Sequence, residues 1–178
     1  LKKKQTSSLI VIRGRRRIGK SRLIAEYGKE FKNYIEIQGL SNEEASNNQD
    51  QLEHFALKLS IYFKTVKEVY TDWTEAFHSL AEKTKNGEWL VHFDEISWMG
   101  QFDPLFSAKL KEAWDTAFYK NSNLNLIICG SVSHWIEENI IKNRAYEGRI
   151  SADIVLQELS LPEIDEFWAK QSIKMGSL

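Results

Sequence analysis

The sequence has little of several features that mark other classes of protein. Among its 178 residues there is one cysteine, Cys129, so no internal disulfide can form. Only two prolines occur, which argues against a hinge segment, and residues 1–178 are predicted to form a single domain. No apolar run approaches the roughly 18 residues that a membrane span needs, and no cleavable signal is readable. These absences favour a reducing, cytoplasmic location without membrane insertion.

The sequence also lacks an excess of charge of either sign, since 24 basic and 25 acidic side chains leave a formal net charge of −1. The balance gives no global signal for a nucleic acid or a membrane surface. A hydrophobic content of 42% is enough to fill a sizeable core. The six tryptophans, Cys129 and His92 are expected to pack in that core. The four histidines show no paired metal-ligand spacing with the cysteine.

Short apolar runs that predict buried strands alternate with segments of helical periodicity. The predicted strands are 8–13, 33–38, 89–93, 124–129 and 154–156. The predicted helices are 20–31, 52–63, 73–81, 105–117, 133–142 and 162–170, and residues 40–50 are predicted to form a loop. Continuous apolar strands separated by crossover helices indicate a parallel sheet in a three-layer α/β fold.

Between the first strand and the first helix, Gly14-Arg-Arg-Arg-Ile-Gly19-Lys20-Ser21 matches the phosphate-loop pattern G-x-x-x-x-G-K-[ST] in full. The glycines supply backbone angles that let amides curl around phosphate oxygens. The following helix presents its free N–H groups to the same anion. Lys20 is expected at the β- and γ-phosphates, with Ser21 on Mg²⁺. The predicted nucleotide contacts are Gly14, Arg17, Ile18, Gly19, Lys20, Ser21 and Arg22.

Several arginines surround this loop, namely Arg13, Arg15, Arg16, Arg17 and Arg22. One interpretation is a solvated basic loop whose backbone touches phosphate. Another assigns one arginine to a phosphate or to a partner. A nucleic-acid surface is possible but unsupported, because no aromatic platform is interleaved with these residues.

A pair of acidic residues, Asp94 and Glu95, closes the strand 89–93. Asp94 is predicted to join Ser21 in the Mg²⁺ shell, and Glu95 to take a proton from the attacking water. The alternative is that the pair merely ends a strand. Ser131, at the end of the next strand, is predicted to orient that water or to cap the following helix. Arg149 is a candidate for sensing phosphate charge, with a plain surface arginine as the alternative.

Five stretches of the chain resemble the archaeal-type ATPases of the AAA+/STAND group, found in archaea and bacteria. They are Leu9-Ile-Val-Ile-Arg-Gly-Arg-Arg-Arg-Ile-Gly-Lys-Ser-Arg-Leu23, Phe93-Asp-Glu-Ile-Ser-Trp98, Leu126-Ile-Ile-Cys-Gly-Ser131, Gly148-Arg149 and Leu159-Ser-Leu-Pro162. The resemblance implies the sheet order 5-1-4-3-2, ATP with Mg²⁺, and a cytoplasmic location. Members usually carry an N-terminal segment that holds adenine and a C-terminal helical lid. This chain begins with leucine and ends near the expected lid, so it resembles a fragment of a larger protein.

Two functions from different classes fit these features. The first is an ATPase module whose nucleotide state controls a protein partner or an attached C-terminal domain. The second is a nucleotide-binding scaffold or signalling switch with negligible turnover. A small-molecule kinase fits less well, since no lid-like arginine cluster appears. GTP is less favoured than ATP because no guanine-reading motif is present.

Overall fold

The structure is a computed structural model that describes residues 7–131, 133–158 and 163. In chain order its main elements are β1 Ser8–Arg13, α1 Lys20–Gly28, β2 Asn33–Gln38, α2 Asn48–Phe63, α3 Trp73–Lys83, β3 Trp89–Asp94, α4 Ile96–Met99, α5 Phe106–Thr116, β4 Leu124–Gly130, α6 Ser133–Ile136 and β5 Ile150–Val155. Single 3₁₀ turns at Phe118–Lys120 and Arg144–Tyr146 and a π-helical turn at Glu137–Ile141 complete the described secondary structure.

The five strands form one parallel sheet in the order β2-β3-β4-β1-β5. Read from the other edge, this is the predicted order 5-1-4-3-2, so the predicted fold class is confirmed. In this order β4 lies between β1 and β3. The carboxyl ends of β1, β3 and β4 therefore meet at one edge of the sheet, where a ligand site is expected.

The two faces of the sheet are covered unequally. On one face α2, α3 and α5 bury an aromatic cluster in which Trp73 lies 5.3 Å from Phe77 and 4.9 Å from Phe106, measured between ring centroids. The other face carries α1 and a smaller cluster made of Ile12, Ile24, Leu90, Ile127 and Cys129. The result is the predicted three-layer arrangement, with a thick layer on one side and, among the described residues, the helix α1 on the other.

Alternation along β3 decides which side chains lie under α1. Leu90 belongs to the α1 cluster, whereas Val91 and Phe93 belong to the larger one. Side chains two positions apart share a face, so His92 and Asp94 point to the α1 side. Both are buried, as is Cys129 on the neighbouring strand.

Three predicted boundaries were wrong. Helix α1 ends at Gly28 rather than at residue 31, and the backbone there closes in a turn from Phe31 N to Gly28 O. Helix α2 begins at Asn48, inside the predicted loop, because the Asn47 side chain accepts a hydrogen bond from Asp50 N and caps it. The predicted helix 133–142 is α-helical only over α6 before its π-helical turn.

The fifth strand was also misplaced, since it covers Ile150–Val155 rather than 154–156. It is an edge strand with mostly exposed side chains, so it lacks the continuous apolar run that reveals a central strand. The predicted helix 162–170 lies outside the described residues. None of the described helices is long and apolar enough to cross a membrane.

Candidate functional site

The loop between β1 and α1 has the backbone that a phosphate cradle requires. Gly14, Arg17 and Gly19 have positive φ angles of 151°, 66° and 95°. Turns of this kind point successive amides toward one concave surface, which binds anions. A Cβ atom on Gly14 would lie 2.4 Å from Leu156 O, so close backbone packing requires glycine there. At Gly19 a Cβ atom would meet open space, and only the backbone angle favours glycine.

Lys20 begins α1 and its side chain turns back over the loop. It is 6% exposed, and its Nζ donates hydrogen bonds to Gly14 O at 2.9 Å and Arg15 O at 2.8 Å. A buried ammonium group needs such acceptors. The two carbonyls hold the charge at the centre of the loop, where an anionic ligand would take their place.

Ser21 and Asp94 meet although 73 positions separate them in the sequence. Ser21 Oγ donates to Asp94 Oδ2 at 2.8 Å, and Asp94 Oδ1 accepts from Glu95 N at 3.0 Å. A hydroxyl beside a carboxylate is an all-oxygen donor set of the kind that Mg²⁺ prefers. These two residues therefore fit the metal that the loop motif implies.

Glu95 and Ser131 form a second contact between strand ends. Glu95 Oε2 accepts hydrogen bonds from Ser131 N at 3.0 Å and Ser131 Oγ at 2.9 Å. Glu95 has φ 48° and ψ 49°, a left-handed conformation that costs a non-glycine residue roughly 1–3 kcal/mol. Strain of this size at a residue near a phosphate loop is typical of functional positions.

The arginines around the loop behave differently from one another. Arg15, Arg16 and Arg17 are exposed, and Arg16 lies over the Trp98 ring with its guanidinium carbon 5.9 Å from the centroid. Arg13 instead makes a two-pronged ion pair with Asp153 of β5, at 3.0 and 2.9 Å. Arg15 to Arg17 are exposed, as the solvated-loop interpretation expects, and Arg15 also pairs with the exposed Glu158, whereas Arg13 is largely covered and held by β5. Contact between the loop backbone and phosphate stays a prediction.

The two remaining predicted contacts lie on either side of the lysine. Arg22 is exposed, with Nε 3.8 Å from Glu26 Oε1 one helical turn further along α1. Ile18 is half-buried and faces Gly14 from across the loop. Both line the loop, and a nucleotide contact by either one stays a prediction.

Arg149 does not belong to this edge of the sheet. It precedes β5, whose first residue, Ile150, pairs with Leu9 near the start of β1, whereas the loop follows the end of β1. Its guanidinium bonds Asp115 at 2.6 and 2.9 Å, and this pairing lowers the pKa of that carboxyl to about 2. The phosphate-sensing interpretation was wrong, and a structural ion pair takes its place.

Sequence reasoning missed a buried group beneath the loop. His92, Asp94 and Cys129 each offer one ligand atom, and these atoms lie within 4.8 Å of one another. One signal for this group was present in the sequence, because His92 and Asp94 are two positions apart on β3 and so share a face. The position of Cys129 beside them depends on the pairing of β3 with β4, which the sequence does not reveal. The tryptophan expectation holds for Trp73, Trp89 and Trp114, while Trp98 and Trp135 are half-buried and Trp168 lies outside the described residues.

The sheet order and the strand–loop–helix unit define a P-loop nucleoside triphosphatase fold. The chain belongs to the AAA domain family, whose model matches residues 6–164. This match confirms, at the level of the family, the resemblance to archaeal-type P-loop ATPases. Membership indicates nucleotide binding.

One curated relative and two solved structures extend the comparison. An uncharacterised protein of Methanocaldococcus jannaschii, MJECL04, is 26% identical over 90% of this chain and 34% of its own length. The Walker-type ATPase PABY2304 of Pyrococcus abyssi superposes with a TM-score of 0.61 at 20% identity, covering 94% of this chain and 54% of that protein. The Aeropyrum pernix ORC2 protein, solved in ADPNP–ADP complexes, has a TM-score of 0.59 at 14% identity, covering 93% and 46%. The chain spans about a third of the length of the curated relative.

Proposed function

We propose that this chain binds and hydrolyses ATP with Mg²⁺, and that its nucleotide state controls a partner protein or an attached domain. The observation that carries the proposal is the convergence of three strand ends. Ser21 Oγ lies 2.8 Å from Asp94 Oδ2, and Glu95 Oε2 lies 2.9 Å from Ser131 Oγ. A phosphate loop, a hydroxyl and a carboxylate for Mg²⁺, and a second acidic residue to accept a proton are groups that phosphoryl transfer to water uses.

Each residue has a separate task in this proposal. The loop amides and Lys20 bind the β- and γ-phosphates, and Lys20 leaves its two carbonyl partners to do so. Ser21 and Asp94 are the metal ligands, Asp94 directly or through water; Mg²⁺ supplies charge neutralisation at the phosphate oxygens when bound. Glu95 accepts the proton of the attacking water, and Ser131 orients Glu95 or that water.

A nucleotide switch with little turnover is the second candidate, and one observation favours it. A general base needs a free lone pair directed at the water. In this structure Ser131 donates two hydrogen bonds to the same oxygen, Glu95 Oε2. Two donors already occupy the lone pairs of that oxygen, so it cannot take a proton from water while both bonds last. A base held in this way would turn ATP over slowly until Ser131 releases it.

Binding and turnover are measured separately on the complete chain. Calorimetry with ATP, ADP and GTP in Mg²⁺ gives affinity, and phosphate release gives the rate. We expect Lys20→Ala to weaken ATP binding by about tenfold to a hundredfold, the value of a charged hydrogen-bond donor. We expect Glu95→Gln to keep binding and to lower turnover by about a hundredfold or more.

Two matched controls accompany these variants. Lys29→Ala removes an exposed lysine just past the end of the same helix, and Glu88→Gln neutralises an exposed glutamate just before β3. Both should behave as the unsubstituted chain does. Equal turnover with and without Glu95→Gln refutes Glu95 as the base. Tight MgATP binding with no phosphate release in either chain favours the switch, and undiminished binding by Lys20→Ala refutes the site.

A further inference from the structure

The buried group under the phosphate loop has a lone pair that nothing in the described chain satisfies. His92 is fully buried, and no hydrogen-bond partner lies within reach of its Nε2 in the described residues. Buried polar atoms are usually paired, and each exception asks for a cause such as an ion or a water. The surroundings of His92 identify which kind of partner Nε2 can take.

The other ring nitrogen fixes the tautomer. Tyr34 OH lies 2.8 Å from Glu36 Oε2 and 3.2 Å from His92 Nδ1. His92, whose Nδ1 lies 3.8 Å from Glu36 Oε2, and the hydrogen bond from Tyr34 lower the pKa of Glu36, which keeps this carboxylate ionised and therefore acceptor-only. The single phenolic hydrogen of Tyr34 goes to Glu36, so the phenolic oxygen must accept the proton of Nδ1. In the neutral imidazole, Nε2 then carries a buried lone pair that has no hydrogen-bond partner among the described residues.

Two other metal-binding groups lie close to that lone pair. His92 Nε2 lies 4.0 Å from Asp94 Oδ1, and a ring nitrogen of His92, a carboxylate oxygen of Asp94 and Cys129 Sγ all lie within 4.8 Å of one another. Ligands about 2.0–2.3 Å from one tetrahedral zinc are about 3.3–3.8 Å apart. Side-chain movements of about one ångström therefore close the site. A ring nitrogen whose other N–H is bound to an oxygen is also the usual form of a zinc-binding histidine.

We propose that His92 Nε2, Asp94 Oδ1 and Cys129 Sγ bind a divalent transition metal of the zinc type. Thiolate and imidazole select such a metal over Mg²⁺. Burial and the nearby charge of Asp94 raise the pKa of the Cys129 thiol, so the thiol keeps its proton until the cation arrives. On binding, the S–H bond breaks, the sulfur–metal bond forms and the proton passes to solvent. A water molecule would complete a four-coordinate shell.

Asp94 is shared between this site and the site of the proposed function, and this step rests on that function. Its Oδ2 faces Ser21, whereas its Oδ1 faces His92. A metal on the His92 side draws the carboxylate away from Ser21. Zinc therefore competes with the binding of MgATP and acts as an inhibitor.

Cobalt is the probe for the site, because tetrahedral Co²⁺ absorbs visible light and shows a thiolate charge-transfer band. The complete, reduced, nucleotide-free chain is titrated with Co²⁺. We expect one ion per chain with both bands, loss of the charge-transfer band in Cys129→Ala, and binding weaker by more than about tenfold in His92→Ala. His134→Ala, which removes an exposed histidine, should match the unsubstituted chain.

X-ray absorption at the zinc edge of the unsubstituted chain tests the site without any variant, and we expect one sulfur neighbour. A zinc shell without sulfur, or a charge-transfer band that survives Cys129→Ala, overturns the site. Zn²⁺ should also weaken MgATP binding in the unsubstituted chain and not in Cys129→Ala. If Zn²⁺ weakens MgATP binding equally in the unsubstituted chain and in Cys129→Ala, the proposal that the two sites share Asp94 is wrong. If the chain binds no ATP, the proposed function fails, and the cobalt bands still decide the metal site.

Discussion

Replacing Gly14 by alanine tests whether the shape of the phosphate loop depends on close backbone packing. The new Cβ atom would lie 2.4 Å from Leu156 O and 2.7 Å from Ile18 Cδ1. The isoleucine methyl can turn aside, but the carbonyl belongs to the backbone after β5. The residue also has φ 151°, which alanine adopts only with strain.

The expected cost has two parts. A forced contact of this kind costs about 1–3 kcal/mol, and an unfavourable backbone angle adds about 1–3 kcal/mol. Gly19→Ala and Gly148→Ala share only the second part, because their Cβ atoms meet nothing within 4 Å at φ 95° and 73°. Gly14→Ala should therefore be less stable than either control by about 1–3 kcal/mol.

Urea unfolding followed by tryptophan fluorescence measures this difference, with the free energy taken from midpoint and slope. The three glycine-to-alanine variants separate the two costs, because Gly14 has both the close contact and the positive φ, whereas Gly19 and the remote Gly148 have only the positive φ. If Gly14→Ala is no less stable than Gly19→Ala, the packing of Gly14 on Leu156 is not what the loop depends on. Nucleotide affinity, measured on the same proteins, should fall for both loop variants and stay unchanged for Gly148→Ala.

Two further predictions concern the end of the sheet away from the loop. Asp115 has a pKa lowered to about 2 by Arg149, against 3.8 when unpaired, so its contribution to stability is present above pH 4 and is lost as pH falls toward 2. In Asp115→Asn the urea midpoint of unfolding should depend less on pH over that range, and nucleotide binding should be unchanged. A midpoint that falls with pH as steeply as in the unsubstituted chain would contradict the pairing. Asn121→Ala removes donors to Thr84 O and Gly87 O and should cost about 1–3 kcal/mol, whereas exposed Asn123→Ala should change the free energy of unfolding by less than about 0.5 kcal/mol.

Local patterns were enough to predict much of the site. The apolar runs located β1, β3 and β4 because those strands are buried on both faces, and Tyr34, Ile35 and Ile37 located the edge strand β2. The glycine–lysine–serine motif located the loop. Parallel strands bring their carboxyl ends together, so Asp94, Glu95 and Ser131 were expected near Ser21 before any distance was known. Their roles stay predictions, as does the assignment of residues 1–178 to a single domain.

What the sequence did not reveal depends on contacts between distant segments. Strand β5 lies at the sheet edge and lacks an apolar run, so its first residues were missed. The partner of Arg149 lies 34 positions away on α5, where no periodicity points to it. Cys129 looked like an ordinary core residue, because only the register of β3 with β4 places it beside Asp94. His92 shares a face with Asp94 on β3, but that spacing alone does not tell a ligand from a packed histidine.

The phosphate loop is bound to the backbone that follows β5 by a hydrogen bond, a packing contact and an ion pair. Leu156 N donates to Arg13 O at 2.8 Å, Gly14 packs on the next carbonyl, and Arg15 pairs with Glu158 at 2.5 Å. A loop that shifts when phosphate enters must carry this backbone with it, since neither can move alone without breaking the joint. Any rearrangement of the loop is thereby transmitted to residues 156–158, which follow the neighbouring strand β5.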